Sequence, residues 1–104
     1  MNDPNLAQRL SEFCGEVKGG EREACFRGIG YSHAPVANFD PLVGSKFCDK
    51  MGPPGGGRLW CREGLAWALY ADPAFRPKAE EACTTGLAND EAKQCKQDYL
   101  FSIQ

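Results

Sequence analysis

Long apolar segments are absent from this chain of 104 residues. No apolar run approaches the roughly 20 residues that cross a bilayer, so the sequence predicts no membrane-spanning segment. A basic excess is absent as well, because the net charge is −2. Proteins that bind nucleic acids need a basic patch or stripe, so the charge argues against that class of partner.

Closely spaced cysteines are also missing, although the chain contains six of them: Cys14, Cys25, Cys48, Cys61, Cys83 and Cys95. Structural zinc sites usually contain two thiolates about one helical turn apart, whereas the closest two cysteines here are eleven positions apart. An even number of cysteines in a short chain favours disulfide bonds and an oxidising compartment. The alternatives are bound metal, or free thiols in a reduced cytosolic protein.

The start of the sequence predicts no signal peptide. The chain begins Met1-Asn2-Asp3-Pro4, without a basic region followed by an apolar one. The cysteines predict a secreted or periplasmic protein. That location implies that a signal has been removed, or that the chain is a domain of a longer protein.

A pattern of Asp-Pro followed by two cysteines occurs three times. The second cysteines, Cys25, Cys61 and Cys95, are 36 and 34 positions apart. An aromatic residue stands six positions after each of them, at Tyr31, Trp67 and Phe101. Self-similarity at such a period indicates a repeat protein. The sequence therefore predicts a single domain, 1–104, made of three repeats at about 3–36, 39–71 and 72–104.

Each repeat is predicted to begin with a helix that starts at Asp-Pro. Asp accepts a hydrogen bond from an orphan N–H group, and Pro at the first helical position has no N–H to leave unpaired. After Asp3, the residues Leu6, Leu10 and Cys14 recur every four positions, as on one face of a helix. Pro77 is expected to bend or shorten the helix that follows Asp72.

The second helices are predicted at about 21–33, 58–71 and 90–103. In both helices of a repeat the cysteine lies on the apolar face, so an antiparallel hairpin brings the two cysteines together. The repeat thereby selects one of the 15 pairings that six cysteines allow. The predicted bonds are Cys14–Cys25, Cys48–Cys61 and Cys83–Cys95. The predicted fold class is all-α: three disulfide-stapled α-α hairpins, about six helices, stacked as a linear array or a closed bundle.

Small residues inside the second helices predict close contact between helices. Gly28 and Gly30, then Gly64 and Ala66, stand where Gly costs about 1 kcal/mol against Ala, and the approach of a neighbouring helix would compensate. We expect Gly28→Leu to disrupt the stacking. The third repeat lacks these small residues and is expected to be a terminal cap.

The architecture resembles the cysteine-stapled α-α repeats of the Sel1-like class, in which each helical pair carries one disulfide bond. The likeness covers the period and the staple. It implies no functional residues.

The candidate binding residues are Tyr31, His33, Trp67, Tyr70 and Phe101. The recurring aromatic residues either pack between hairpins or line a groove. His33 is the only histidine of the chain. A partly buried imidazole bonded to a backbone carbonyl is the favoured interpretation. A haem or metal ligand and a pH-sensing group are the alternatives, although no second His completes a metal set.

No catalytic constellation is recognisable, so the sequence predicts neither an enzyme nor a bound cofactor or metal. Cys25 and His33 are two helical turns apart, about 12 Å, too far for proton transfer. The segment from Gly52 to Arg58 resembles an anion-binding loop but lacks the Gly-Lys-Ser/Thr ending. A flexible connection is favoured there.

The predicted function is an extracytoplasmic module that binds a protein or other macromolecular partner, or the rest of a larger protein or complex. The alternative is a carrier of a small apolar ligand or cofactor between the hairpins.

Overall fold

The computed structural model of the chain describes residues 5–51 and 57–103, with 99–103 described by their backbone alone. Within these ranges the fold is all-α and has no strands, as predicted. The helices α1 to α6 are Leu6–Gly15, Gly20–His33, Pro41–Cys48, Gly57–Ala71, Ala79–Ala82 and Asn89–Ile103. A 3₁₀ turn at Arg76–Lys78 precedes α5.

Helix α3 begins as the sequence predicts. The Oδ1 atom of Asp40 accepts hydrogen bonds from the backbone N–H groups of Leu42 and Val43, at 2.8 and 3.4 Å. Pro41 occupies the first position of the helix. Asp40 thus supplies an acceptor for N–H groups that have no partner within the helix. The corresponding residues Asp3-Pro4 lie outside the described residues.

The helix predicted to start at Asp72 is wrong in its bounds. The Oδ1 atom of Asp72 accepts a hydrogen bond from the N–H group of Ala74 at 2.9 Å, which closes a turn instead of capping a helix. Pro77 has no N–H donor and its ring clashes with an α-helical turn before it. The chain therefore forms the 3₁₀ turn first, and α5 begins only at Ala79.

Three disulfide bonds join consecutive helices in the predicted pairing, Cys14–Cys25, Cys48–Cys61 and Cys83–Cys95. The paired Cα atoms are 5.6, 5.4 and 5.3 Å apart, the usual range for a disulfide. Five of the six cysteines are at most 1% exposed, whereas Cys25 is half-buried. The bonds fix α1 to α2, α3 to α4, and the end of α5 to α6.

Helix α4 is the centre of the fold and packs against each of the other five helices. Two clusters of buried residues meet on it. One contains Leu65 and Leu69 and extends to Cys83 and Cys95 of the last helical pair. The other contains Cys61 and extends to α1, α2 and α3. A helix covered on nearly all sides requires an apolar sequence on nearly all sides, and α4 has one.

Two glycines let α2 and α4 approach until their backbones touch. A Cβ atom added to Gly30 would lie 1.8 Å from the carbonyl oxygen of Cys61. One added to Gly64 would lie 1.9 Å from the carbonyl oxygen of Arg27. The predicted close contact is therefore confirmed for Gly30 and Gly64. It is wrong for Gly28, where an added Cβ would meet no described neighbour outside its own helix within 4 Å.

Candidate interaction surface

Tyr31 and Trp67 form an exposed aromatic pair between α2 and α4. Their side chains are 45% and 40% exposed. The ring centroids are 5.6 Å apart and the planes are inclined by 60°. This edge-to-face arrangement is one that aromatic rings prefer. The close approach of the two helices thus brings two of the five predicted binding residues into contact.

The aromatic pair forms one wall of an open groove of about 470 Å³, which we call the aromatic groove. Its lining residues are Ala24, Arg27, Gly28, Tyr31, Ser32 and Trp67. The floor is built from small residues, because Ala24, Gly28 and Ser32 follow one another every four positions on α2. All three are exposed to solvent. The groove therefore has a floor of small residues and an aromatic edge.

Arg27 supplies a cation to the aromatic groove, and sequence reasoning missed it. Its Nε and Nη2 atoms lie 2.8 Å from Oε1 of Glu63 in α4. Its Nη1 atom lies 3.5 Å from Glu23, and its Nη2 atom 3.8 Å from Asp98. The Arg27 side chain is 29% exposed. These carboxyl groups hold the guanidinium at the edge of the groove while part of it stays open to solvent.

Glu63 is a buried carboxyl group that joins three helices. It is 2% exposed, and its Oε2 atom accepts no hydrogen bond from the described residues. Burial and the neighbouring carboxyl group of Asp98 raise the pKa of Glu63 to about 8, against the opposing effect of Arg27. A protonated Glu63 can donate a hydrogen bond to Asp98, which a carboxylate cannot do. Arg27, Glu63 and Asp98 therefore form one cluster that joins α2, α4 and α6.

His33 lies in a second open groove, of about 410 Å³, formed by α1, α2, α3 and the turn after α2. We call this the apolar groove. It is lined by Leu10, Cys25, Ile29, His33, Val36 and Phe47, and it shares Gly28 and Ser32 with the aromatic groove. The imidazole stacks on Phe47, with ring centroids 3.6 Å apart and planes inclined by 9°.

The expected hydrogen bond from His33 to a backbone carbonyl is not present among the described residues. Burial lowers the pKa of His33, which favours the neutral ring. A neutral imidazole packs on an aromatic face without the desolvation cost of a charge. The ring therefore contributes apolar surface to the groove.

Tyr70 and Phe101 do not join the aromatic pair in the same way. Tyr70 is half-buried against the core cluster of α4, and the guanidinium of Arg76 lies over its ring at 4.7 Å from the centroid. Arg76 Nε also donates to the carbonyl oxygen of Tyr70 at 2.8 Å. Phe101 belongs to the end of α6, and its side chain lies outside the described residues.

Arg62 is a second buried charge that the sequence analysis did not single out. Its guanidinium is 1% exposed and donates to both carboxylate oxygens of Asp49, at 2.8 and 2.7 Å. It also donates to the carbonyl oxygens of Ala82 and Thr85. The signal was the presence of Arg62 and Glu63 in the middle of a helix that, beyond Arg58 in its first turn, is otherwise apolar. The arrangement satisfies a buried cation and holds α3 and α5 to α4.

Three further points concern metal ions, membranes and the Gly-rich segment. No group of three acidic, histidine or cysteine side chains within the described residues is arranged to hold a metal ion. No described helix is both long and apolar enough to cross a membrane. The Gly-rich segment 52–56, considered above as an anion-binding loop, lies outside the described residues.

Comparisons with known protein families, with curated proteins and with solved structures find no match to this chain.

Proposed function

We propose that this chain is an extracytoplasmic, disulfide-stapled helical-repeat module that binds a protein partner through the aromatic groove and carries out no catalysis of its own. The observation that carries the proposal is the exposed Tyr31–Trp67 pair beside Arg27. Tyr, Trp and Arg are the residue types that most often dominate the binding energy of protein interfaces. Their convergence on an open groove supports binding to another macromolecule.

The three disulfide bonds support the extracytoplasmic location. Disulfide bonds persist in secreted and periplasmic proteins and are rare in the reducing cytosol. All six cysteines are paired, and each bond joins the two helices of one hairpin: α1 to α2, α3 to α4, and the end of α5 to α6. In a chain this small, such bonds add stability that its limited core does not supply.

Contacts between the second helices support the repeat. The carbonyl oxygen of Arg27, two positions after Cys25, lies against Gly64, three positions after Cys61. At the next interface Glu63, two positions after Cys61, interacts with Asp98, three positions after Cys95. The same two registers therefore meet between α2 and α4 and between α4 and α6. Equivalent contacts at a fixed period are expected of a repeat protein.

Capture of a partner from the extracytoplasmic fraction of the source organism tests the proposed function. The chain is compared with a double variant, Tyr31→Ala with Trp67→Ala. The matched control is Leu42→Ala with Val43→Ala, because these two side chains are each 50% exposed and line neither groove. We expect a protein that is retained by the wild type and by the control but lost from the aromatic variant. Equal capture by all three proteins would contradict the proposal.

A second candidate function is a carrier of a small apolar ligand, and the apolar groove favours it. Its volume of about 410 Å³ falls within the range of small-molecule sites. Titration calorimetry with a medium-chain fatty acid, on the wild type and on Ile29→Asn, tests this candidate. Saturable binding that Ile29→Asn abolishes would favour the carrier. Absence of binding would leave the protein partner as the better account.

A further inference from the structure

The face of α4 that α2 covers has a defined composition. It contains Cys61, Gly64, Leu65 and Ala68, all of them buried. Helix α2 crosses it with Gly30 against the backbone of Cys61 and Leu65. Phe26 lies against Gly57 one turn earlier, so the two helices run in the same direction. Close helix packing of this kind depends on small residues in both partners.

The same composition recurs on α2, on a face that no described helix covers in the way that α2 covers α4. The outer α2 face consists of Cys25, Gly28, Ile29 and Ser32, which stand at the same spacing from each other as the four residues of the covered face. Each residue matches its counterpart in size. Gly28 and Ser32 are exposed, and Cys25 and Ile29 are half-buried. The outer α2 face is thus a copy of the covered face that lacks its covering helix.

The surroundings of the outer α2 face fit a helix as the missing element. The aromatic groove runs along one side of Gly28 and Ser32, and the apolar groove runs along the other. Together they form a trough with a floor of small residues and walls of larger ones. Through Trp67 the trough continues onto α4, so it adjoins the existing interface between α2 and α4.

A helix that docks on the outer α2 face can be described by the residues that it needs at two positions. Resting on the proposed function, we propose that the outer α2 face binds an α-helix of the protein partner, packed as α2 packs on α4, with a small residue over Cys25 and a basic residue one turn before it. The small residue corresponds to Gly30 of the covering helix. The basic residue corresponds to Phe26, because Glu21 stands on α2 where α4 has Gly57. Glu21 is exposed, so the opposite charge complements it.

A second copy of the chain fits this register less well. Its α2 is already packed against α4, and its α6 has Leu100 at the register of Gly30. A bulky residue at that position prevents the backbone contact seen between α2 and α4. We therefore assign the face to a different protein, and self-association is an outcome that the test must detect.

The probe is a helix-stabilised peptide with the sequence of residues 20–33 and the changes Cys25→Ala and Phe26→Lys. It is added to the oxidised full chain, and the amide signals of the chain are followed by NMR. We expect shifts at Gly28, Ile29 and Ser32 and at the indole N–H of Trp67. A matched peptide that also carries Gly30→Leu is expected to bind roughly tenfold more weakly or worse.

The matched change in the chain is Gly28→Leu. A Cβ atom at this position meets no described neighbour outside its own helix within 4 Å, and Leu is a better helix former than Gly, so the thermal stability of the chain is expected not to fall, while peptide binding falls by roughly tenfold or more. Peptide binding that survives Gly28→Leu, or shifts confined to other surfaces, would overturn the inference. Self-association of the free chain that Gly28→Leu abolishes would overturn it in favour of a second copy.

Different results would contradict the proposed function and the docking of a helix on the outer α2 face. A partner whose capture depends on Tyr31 and Trp67 but not on Gly28 would support the proposed function and overturn the helical docking. Peptide binding that Gly28→Leu abolishes, without any captured partner that depends on the two aromatic residues, would support the docking face and contradict the proposed function.

Discussion

Gly28 and Gly64 stand at the same place in two helices, three positions after a disulfide cysteine, yet their surroundings differ completely. The backbone of Arg27 covers Gly64 so closely that a Cβ atom there would lie 1.9 Å from a carbonyl oxygen. At Gly28 no described residue outside the helix's own turns lies within 4 Å of the corresponding point. A small residue in a helix therefore allows a second helix to pack closely against it, but it does not show whether that second helix belongs to the same chain.

The interface between α2 and α4 also differs from that between α4 and α6 in the contact made two positions after the cysteine. Arg27 and Glu63 both stand two positions after a cysteine. At the first interface both the backbone and the side chain of Arg27 contact α4, and the backbone contact requires Gly64. At the second interface the side chain of Glu63 reaches Asp98 of α6. The position two residues after the cysteine therefore makes a backbone contact between α2 and α4 but only a side-chain contact between α4 and α6.

The largest expected effect is the loss of a disulfide bond, and its size should differ between the covered face of α4, which contains Cys61, and the outer α2 face, which contains Cys25. The double variant Cys48→Ser with Cys61→Ser lacks a buried disulfide bond. Its free energy of unfolding should be lower by about 3 kcal/mol through the lost cross-link, and lower still because two hydroxyl groups are placed in the core. Cys14→Ser with Cys25→Ser should cost less, because Cys25 is half-buried. Urea unfolding of both variants measures the difference. A negligible loss in the first variant would contradict the role assigned to the staples.

The same comparison predicts an order of reduction. Under limiting dithiothreitol, Cys14–Cys25 should be reduced first, because Cys25 lines the open apolar groove while both cysteines of each other bond are buried. Alkylation followed by peptide mapping identifies the first free thiols. Simultaneous release of all six thiols would show that reduction follows global unfolding instead of local access.

The next effect concerns the covered glycine. Gly64→Ala should lower the free energy of unfolding by about 3 kcal/mol, because the new Cβ atom forces the backbones of α2 and α4 apart. Ala is the better helix former, so propensity alone would predict the opposite sign. Urea unfolding measures the change, and Gly30→Ala is a second variant at the same crossing. A stabilised Gly64→Ala protein would mean that the two helices do not touch there.

Much of this fold could be predicted from the sequence, because its strongest signals are local. The capping of α3 by Asp40 depends on residues two positions apart, and each disulfide bond joins cysteines 11 to 13 positions apart; both predictions are confirmed. The helix expected after Asp72 failed for an equally local reason, since the same side chain that caps a helix can close a turn when Pro77 follows.

The site was harder to predict because it depends on which faces meet. The recurrence of Tyr31 and Trp67 indicated a surface, but the cation beside them comes from Arg27, whose position is fixed by the buried Glu63. Two charged residues within the apolar sequence of α4 were the available signal. Their partners in α2, α3 and α6 follow only from the packing of the helices, which no spacing along the chain reveals.

A smaller effect distinguishes the two interfaces by pH. The pKa of Glu63 is raised in the folded protein, so its contribution to stability is full below its ordinary value of 4.5 and is lost as the pH rises towards about 8. Glu63→Gln should therefore match the wild type near about pH 5 and exceed its free energy of unfolding by more than about 1.4 kcal/mol near about pH 9. Urea unfolding across this range measures both. A Glu63→Gln protein that is less stable at alkaline pH would mean that the ion pair with Arg27 dominates.

The smallest effect belongs to the uncovered glycine and has the opposite sign to that of Gly64. Gly28→Ala should raise the free energy of unfolding by about 0.5 to 1 kcal/mol, because Ala restricts the unfolded chain and meets no neighbour in the folded one. Thermal unfolding measures a gain of this size. A loss would imply that another element already covers the outer α2 face. A gain in the free chain, together with weaker binding of the helical peptide, would mean that Gly28 serves the contact with a partner at the expense of the stability of the chain alone.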